Sequence, residues 1–440
     1  MNRVIPTNAA ATKPKELARM NTWNDITHFA GFDWAKDHHD VLVLDHTGQI
    51  TAQLRFEHTA AGWALCQQEL AAFPCLAIAV ESGNGVALER LVALGHRVYP
   101  VHPRSSKSYR LRKLPSGAKT DQKDCWALAE ALRLEGASWH ALRAPEALGQ
   151  RLRLLCRDEV ALIEERTALI NQLQQALYEY YPAALEAFDD WTSPAAWSFV
   201  ERFPTPQVLV KAGKRQWEKF LHTHKLYHPQ WYAKRLAIFA KADEFCGSQA
   251  VTAAKCTLAT ALVKLLQTLE RQLACYRLQI TECFKQHPDH HVFASLPGAG
   301  PKLAPRLLAE LICVEALANQ PQAFQSLAGM APVSYQSGKV SVVHLRRQCN
   351  RFLRATVHLW VDLSRHYCEW ARTYYDSHRK QGQSHACALR CLGMRWLKIL
   401  AAMIRTHTPY DAALHAHNQL RHGSWVLQLQ SVPSVKTNAS

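Results

Sequence analysis

The chain has 440 residues, 48% hydrophobic and 20% charged, with 52 Lys and Arg against 36 Asp and Glu for a formal net charge of +16. That length predicts two or three domains, and the basic excess points to a polyanionic partner, DNA or RNA. Thirteen scattered cysteines with no CxxC pair exclude a disulfide framework and suggest a reducing cytosol.

Residues 1–24 lack a signal-peptide core and read as a flexible basic arm. Strands are predicted at 26–33, 40–45 and 50–57, with His46-Thr47-Gly48 as the turn between the last two. A helix over about 60–72, a fully apolar strand at 76–81, a helix over about 85–95, a strand at 97–101 and a helix over about 121–135 follow. This order is that of an RNase H-like domain, here residues 25–145. Asp33 closes the first strand, Glu81 closes the fourth, and Asp121 and Asp124 open the last helix three residues apart. Four carboxylates converging on one point repel each other unless a divalent cation neutralises them. Two such cations can clamp the attacking and leaving oxygens of a phosphodiester. Before the last helix, HPRSSKSYRLRKLPSGAKT carries Arg104, Lys107, Arg110, Arg112, Lys113 and Lys119 and no acid, which predicts a phosphate-contacting loop.

Residues 146–289 read as two long helices around an insertion. Leu155, Leu162, Leu169, Leu173, Ala176 and Tyr180 form one stripe, and Leu258, Leu262, Leu266, Leu269, Leu273, Tyr276 and Ile280 another. Both have coiled-coil spacing, open to pairing within one chain or between chains. The insertion, about 182–250, is rich in Pro and contains Trp191, Trp197, Trp217 and Trp231, expected as its own core. A helical unit spans 290–412, followed by a tail at 413–440. Its Pro297-Gly298-Ala299-Gly300 turn could offer backbone N–H groups to a phosphate. From Ala316 to Val361 there is no acid, while Lys339, Arg346, Arg347, Arg351 and Arg354 cluster there, the last pair sharing a predicted helical face with Arg347 and suggesting a backbone clamp. His385, Cys387 and Cys391 lie close in sequence, but no matching second ligand pair accompanies them. No uninterrupted apolar run suits a bilayer, and the best candidate, near 385–404, is broken by Arg390, Arg395 and Lys398.

In order along residues 26–410, GFDWAK, AVESGNG, AKTDQKDC, SLPGAGPKLA and LAGMAPVSYQSGK resemble the DEDD-type insertion-sequence transposases, RuvC-like, serine-containing recombinases guided by a bridge RNA. The resemblance implies an α/β plus all-α chain: a RuvC-like catalytic domain, a coiled-coil linker and a C-terminal helical transposase domain. It implies that Asp33, Glu81, Asp121 and Asp124 hold Mg2+, and that Ser337, in YQSGK, attacks a DNA phosphate to form a covalent intermediate. DNA, a structured non-coding guide RNA and a homo-oligomer, dimer or tetramer, are the implied partners, with action in the bacterial cytoplasm at the nucleoid. The family commonly has a Gly-Asn pair before its late basic helix, where this chain reads QCNRFLR. The competing expectation is a RuvC-like, metal-dependent junction-resolving nuclease that uses water, with Ser337 merely part of a Ser-Gly turn.

Overall fold

A computed structural model describes residues 23–81, 86–113, 120–142 and 146–425, and the chain divides into two compact units, residues 1–145 and 146–440. The first unit runs β1 (His28–Trp34), β2 (His38–Asp45), β3 (Ile50–Glu57), α1 (Ala60–Leu70), β4 (Leu76–Val80), α2 (Val86–Ala93), β5 (Arg97–Pro100), α3 (Pro103–Lys113) and α4 (Asp121–Glu135). The sheet order is β3-β2-β1-β4-β5. β1, β2 and β3 pair antiparallel, whereas β1 with β4 and β4 with β5 pair parallel. β4, LAIAV, is buried along its whole length, as a parallel strand covered on both faces requires. Asp45 closes the β2–β3 turn by accepting from the backbone and hydroxyl of Thr47 and from the Gln49 N–H.

Ala30, Phe32, Val43 and Phe56 face one side of the sheet and pack with Trp63 of α1 and Leu91 of α2. Leu42 and Leu44 face the other and pack on Cys125 and Ala129 of α4. Gly31 lets α4 lie against β1, since a Cβ there would stand 1.8 Å from the Cys125 carbonyl oxygen. Thr120 caps α4 by accepting from the Lys123 N–H. Of the N-terminal arm, Trp23 belongs to the fold and packs on Phe29 and Tyr99.

The stretch expected as a loop before α4 is instead largely helical, as α3. His102 starts it: its ring accepts from the Arg104 N–H and its carbonyl from the Ser105 and Ser106 N–H groups. Ser106 and Tyr109 are buried, Tyr109 against Ala127 and Ala131 of α4. So small an apolar face leaves almost no hydrophobic period for a sequence pattern to show.

The second unit begins with α5 (Ala147–Tyr180), followed by α6 (Pro182–Ala187), α7 (Pro194–Arg202), α8 (Pro206–Thr223) and α9 (Pro229–Ala240). Each of these four short helices starts at a proline, whose missing N–H costs nothing there. Next come α10 (Gln249–Gln286), α11 (His290–Ala294), α12 (Gly300–Leu311), α13 (Pro321–Leu327), β6 (Val333–Ser337), β7 (Val340–His344), α14 (Arg351–Tyr367), α15 (Glu369–Lys380), α16 (His385–Thr406) and α17 (Ala412–Arg421).

α5 and α10 pair antiparallel within the chain, in a register marked by the ion pairs Glu179–Lys255, Arg166–Glu270 and Glu159–Arg277. At one end Leu173, Leu177, Leu262 and Leu266 join the core of the insertion, with Trp191, Trp197 and Trp217. At the other, Leu152, Cys156, Ile280 and Cys283 join the C-terminal core. Leu258, expected on the seam, is exposed, and so is Trp231, with Lys234 over its ring. Among the described residues α10, not 385–404, is the helix long and apolar enough by composition to cross a membrane, and its Leu262, Leu266 and Leu273 are buried inside this unit. Part of the expected tail is helical as well: Asp411 caps α17 by accepting from the Ala413 and Leu414 N–H groups.

Candidate active site

β1 and β4 run side by side with Phe32 opposite Val80, so Asp33 and Glu81 follow at adjacent strand ends. Asp121 and Asp124 occupy the first turn of α4. Asp33 feels all of these carboxylates. Its carboxyl is pushed up to about 6, first by burial and then by Asp124, Glu81, Asp121 and Asp40. The four acids singled out in the sequence and a fifth, Asp40, thus act on one another at Asp33, although Asp33, Glu81 and Asp124 join no ligand grouping among the described residues.

Asp40 lies in β2 directly opposite Asp33 and is buried. Arg55 of β3 donates to both of its oxygens, at 2.9 and 2.8 Å, and to Asp121 at 2.8 Å. Arg110 of α3 forms an ion pair with Asp124. The His38 Nε2 lies 3.8 Å from both Asp40 and Asp121. One ligand atom from each of His38, Asp40 and Asp121 falls within 4.8 Å of the others, a grouping able to hold a cation. A cleft of about 710 Å3 opens here, lined by Asp40, Gln53, Arg55, Thr120, Asp121 and Gln122 among others. Asp40, His38 and Arg55 escaped the sequence reading. The available signal was a carboxylate opening the apolar run of β2, placed by a short hairpin against Asp33.

Of the basic residues before α4, Arg104 and Lys107 are exposed on α3. Arg110 is turned inward onto Asp124, and Arg112 pairs with Glu135 at 3.0 Å while lying over the Tyr109 ring. The side chain of Lys113 and the whole of Lys119 lie outside the described residues.

In the second unit Ser337 is the last residue of β6, exposed at the tip of the β6–β7 hairpin, whose ten strand residues are all exposed. Gly338 follows with φ of 55°, which suits glycine, and Lys339 completes the exposed turn. Arg346 donates to the Ala331 carbonyl, and Arg347 lies in the loop before α14 rather than on a helical face. Asn350 stops the helix from extending back to Arg347, since it serves as the N-cap and accepts from the Leu353 N–H. Arg351 and Arg354 therefore sit in the first turn of α14, where the helix dipole disfavours cations and their charge adds to the pull on an anion.

Below them Glu310, its side chain wholly buried, accepts from Arg157, Arg153 and the Asn350 amide. The Pro297-Gly298 turn is committed to packing, because the Pro297 carbonyl accepts from Trp360 and a Cβ on Gly298 would meet the α14 backbone at 2.9 Å. His385 bonds to Tyr375 and Cys391 to Gln383. With Cys387 they form no ligand grouping among the described residues.

A family model for DEDD transposases of the IS110 type matches residues 30–182, and a model described as "Transposase IS116/IS110/IS902 family" matches residues 290–376. Together they cover more than half of the chain. The chain is 29% identical over 405 residues to a Streptomyces coelicolor protein assigned to the IS117 mini-circle as its transposase, covering 88% of this chain and 97% of that one. It is 28% identical to an uncharacterized 42 kDa protein of insertion element IS900 from Mycobacterium paratuberculosis, covering 88% and 97%. To an uncharacterized 43.6 kDa protein of IS110 from Streptomyces coelicolor it is 28% identical, covering 70% and 75%. The carboxylate cluster lies within the first matched segment and Ser337 within the second, and the chain belongs to the IS110 family of DEDD transposases, enzymes that cleave and rejoin DNA.

Proposed function

We propose that this transposase excises and inserts its element through a phosphoserine intermediate on Ser337, with Mg2+ held by Asp33, Glu81, Asp121 and Asp124. The observation that carries the reading is the carboxylate cluster. Burial and four neighbouring carboxylates hold the Asp33 proton up to about 6, an arrangement that a divalent cation would relieve. The donors are hard oxygens, which suit Mg2+. Such an ion would supply Lewis-acid stabilisation of charge on a phosphate.

The chain's own residues do the rest. The Ser337 oxygen bonds to phosphorus and gives up its proton, while the bond to one sugar oxygen breaks and that oxygen leaves as a DNA hydroxyl. A later attack by a DNA hydroxyl reverses the step, so phosphodiester energy is conserved and rejoining needs no ATP. Lys339, Arg346, Arg347, Arg351 and Arg354 would hold the strand and balance its charge. Arg104 and Lys107 are the exposed candidates for the same task in the first unit. Arg110 and Arg112, already paired, would bind phosphate only by exchanging partners.

A structured non-coding RNA would select target and donor, and the catalytic halves would come from different protomers of a dimer or tetramer working at the bacterial nucleoid. These three points rest on family membership, and the positive charge merely permits the RNA. The test is a trapping assay with Mg2+, the element's terminal DNA and RNA transcribed from its flanks. A protein–DNA adduct absent in Ser337→Ala supports the reading. Metal-dependent nicking without an adduct, unchanged in Ser337→Ala, replaces it with a water-using, RuvC-like nuclease.

A further inference from the structure

The insertion between α5 and α10 plays no part in the chemistry above, yet it contains a second cleft, of about 690 Å3, between α7 and α8. It stands at the Tyr180 end of α5, roughly 40 Å of helix away from the Leu152 end where the C-terminal core packs. Arg202, Arg215, Lys219 and His224 line it, with Ser198 and Thr223 among them, and no carboxylate does.

Local geometry builds this cleft. α8 is broken at Gly213, with φ of 72° and ψ of 168°, so its second half takes a new direction. In that half Arg215, Lys219 and Thr223 recur every four residues and share one face. Arg202 closes the opposite wall and donates to Gln216 at 3.3 Å. The neighbouring acids are engaged elsewhere: Glu201 accepts from Gln267, and Glu218 lies 3.9 Å from Lys214. Among the described residues Arg202, Arg215 and Lys219 form no salt bridge.

Three cations around one concave surface repel each other, and an anion entering it would relieve that repulsion and accept from the two hydroxyls. The anion must be extended, because the charge continues beyond the cleft: Phe203 to Ala242 carries eight Lys or Arg and a single acid. The same segment exposes Tyr227 and Trp231, aromatic surfaces on which bases can stack.

We propose that this cleft binds the sugar-phosphate backbone of a nucleic-acid strand, outside the C-terminal core of its own unit. The proposal needs a nucleic-acid substrate but does not need Ser337 to be the nucleophile.

The test uses the full-length protein and fluorescence anisotropy with three labelled probes of arbitrary sequence: single-stranded DNA, duplex DNA and an RNA hairpin. Arg202→Ala/Arg215→Ala/Lys219→Ala is compared with Lys264→Ala/Arg271→Ala/Lys285→Ala, a charge-matched control at exposed positions of α10 outside the insertion. For at least one probe, the cleft variant should bind about 10- to 100-fold more weakly, with a log K against log salt slope shallower by about 2 to 3. The control should change affinity by less than about threefold. The probe most affected identifies the strand type.

Unchanged binding of all three probes, or equal losses in both variants, overturns the proposal. If the triple variant melts early, the single exposed reversal Lys219→Glu takes its place, with about a tenfold loss expected. Ser337→Ala should bind all three probes as the wild type does, so failure of the serine chemistry and failure of the cleft are separate outcomes.

Discussion

Asp33 and Asp40 stand directly opposite each other across the β1–β2 ladder. Like charges in that position destabilise a sheet, and the fold treats the two differently. Asp40 is gripped by Arg55 through two hydrogen bonds. Asp33 has no salt bridge among the described residues and instead holds its proton up to about 6. Burial first, and then repulsion from its neighbours, therefore disfavours the charged form of Asp33.

That penalty on the Asp33 charge sets a pH dependence of stability. The folded value of Asp33, about 6, stands above its ordinary 3.8. Its contribution is thus complete below about 3.8 and is lost as pH rises through about 6. Without metal, the wild-type melting temperature should fall over this window on account of Asp33. Asp33→Asn should remove that fall and stabilise the protein at pH 7.5, by at most roughly 3 kcal/mol and by less where water screens the site. Mg2+ or Mn2+ should stabilise the wild type and not the variant. Thermal melts in EDTA across pH 4 to 8 decide the matter, and an unchanged slope in Asp33→Asn would count against the cluster.

Arg55 bridges Asp40 and Asp121 with the positive charge that an incoming cation would otherwise supply. A metal and Arg55 therefore compete. Arg55→Gln should bind Mn2+ about three- to tenfold more tightly, since a nearby like charge is removed. Titration calorimetry tests this, and weaker binding would mean that Arg55 positions the carboxylates more than it repels the ion.

The order of strands and helices along the first unit, and the positions of the four acids within it, were legible because each acid lies where a strong periodic signal stops: Asp33 and Glu81 at the ends of apolar strands, Asp121 and Asp124 behind a Thr cap. Asp40 was not, because an acid at the head of the apolar run in HHDVLVLD looks like an ordinary strand end until the β1–β2 register is known. Arg110 and Arg112 looked like free phosphate contacts because their partners, Asp124 and Glu135, are set by how α3 lies on α4, a tertiary fact. The reach of Arg347 was misjudged because the Asn350 cap, a local signal, was outweighed by the spacing of the arginines.

Glu310 ties the long helix α5 to the start of α14. Burial alone would raise its carboxyl, but Arg157, Arg153 and Asn350 outweigh that and hold it below the usual range. Its contribution is present above the ordinary 4.5 and is lost as pH falls through the depressed value. Glu310→Ala leaves Arg153 and Arg157 facing a buried void and should cost about 3 to 5 kcal/mol. Glu310→Gln should cost less and reduce the sensitivity to acid. Denaturant melts at pH 4 and pH 7 separate the two, and equal losses at both pH values would show that charge at Glu310 is unimportant.

Ser337 sits on a hairpin whose strand residues are all exposed among the described residues, so its chemistry depends on local backbone shape more than on packing. Gly338 holds a left-handed φ of 55°, and a Cβ there would meet no atom within 4 Å. Gly338→Ala thus adds no clash and costs about 1 kcal/mol of backbone strain. Because the hairpin is exposed along its length, that strain should be relieved by reshaping the turn, leaving the global melting temperature within a degree or two of wild type. The Ser337 oxygen would move with the turn, and a displacement of about 1 Å at a nucleophile can cost about 100-fold in rate. Single-turnover adduct formation in Gly338→Ala should therefore drop far more than stability does. Adduct formation at the wild-type rate would show that whatever meets the hairpin during catalysis, rather than the glycine, shapes the turn.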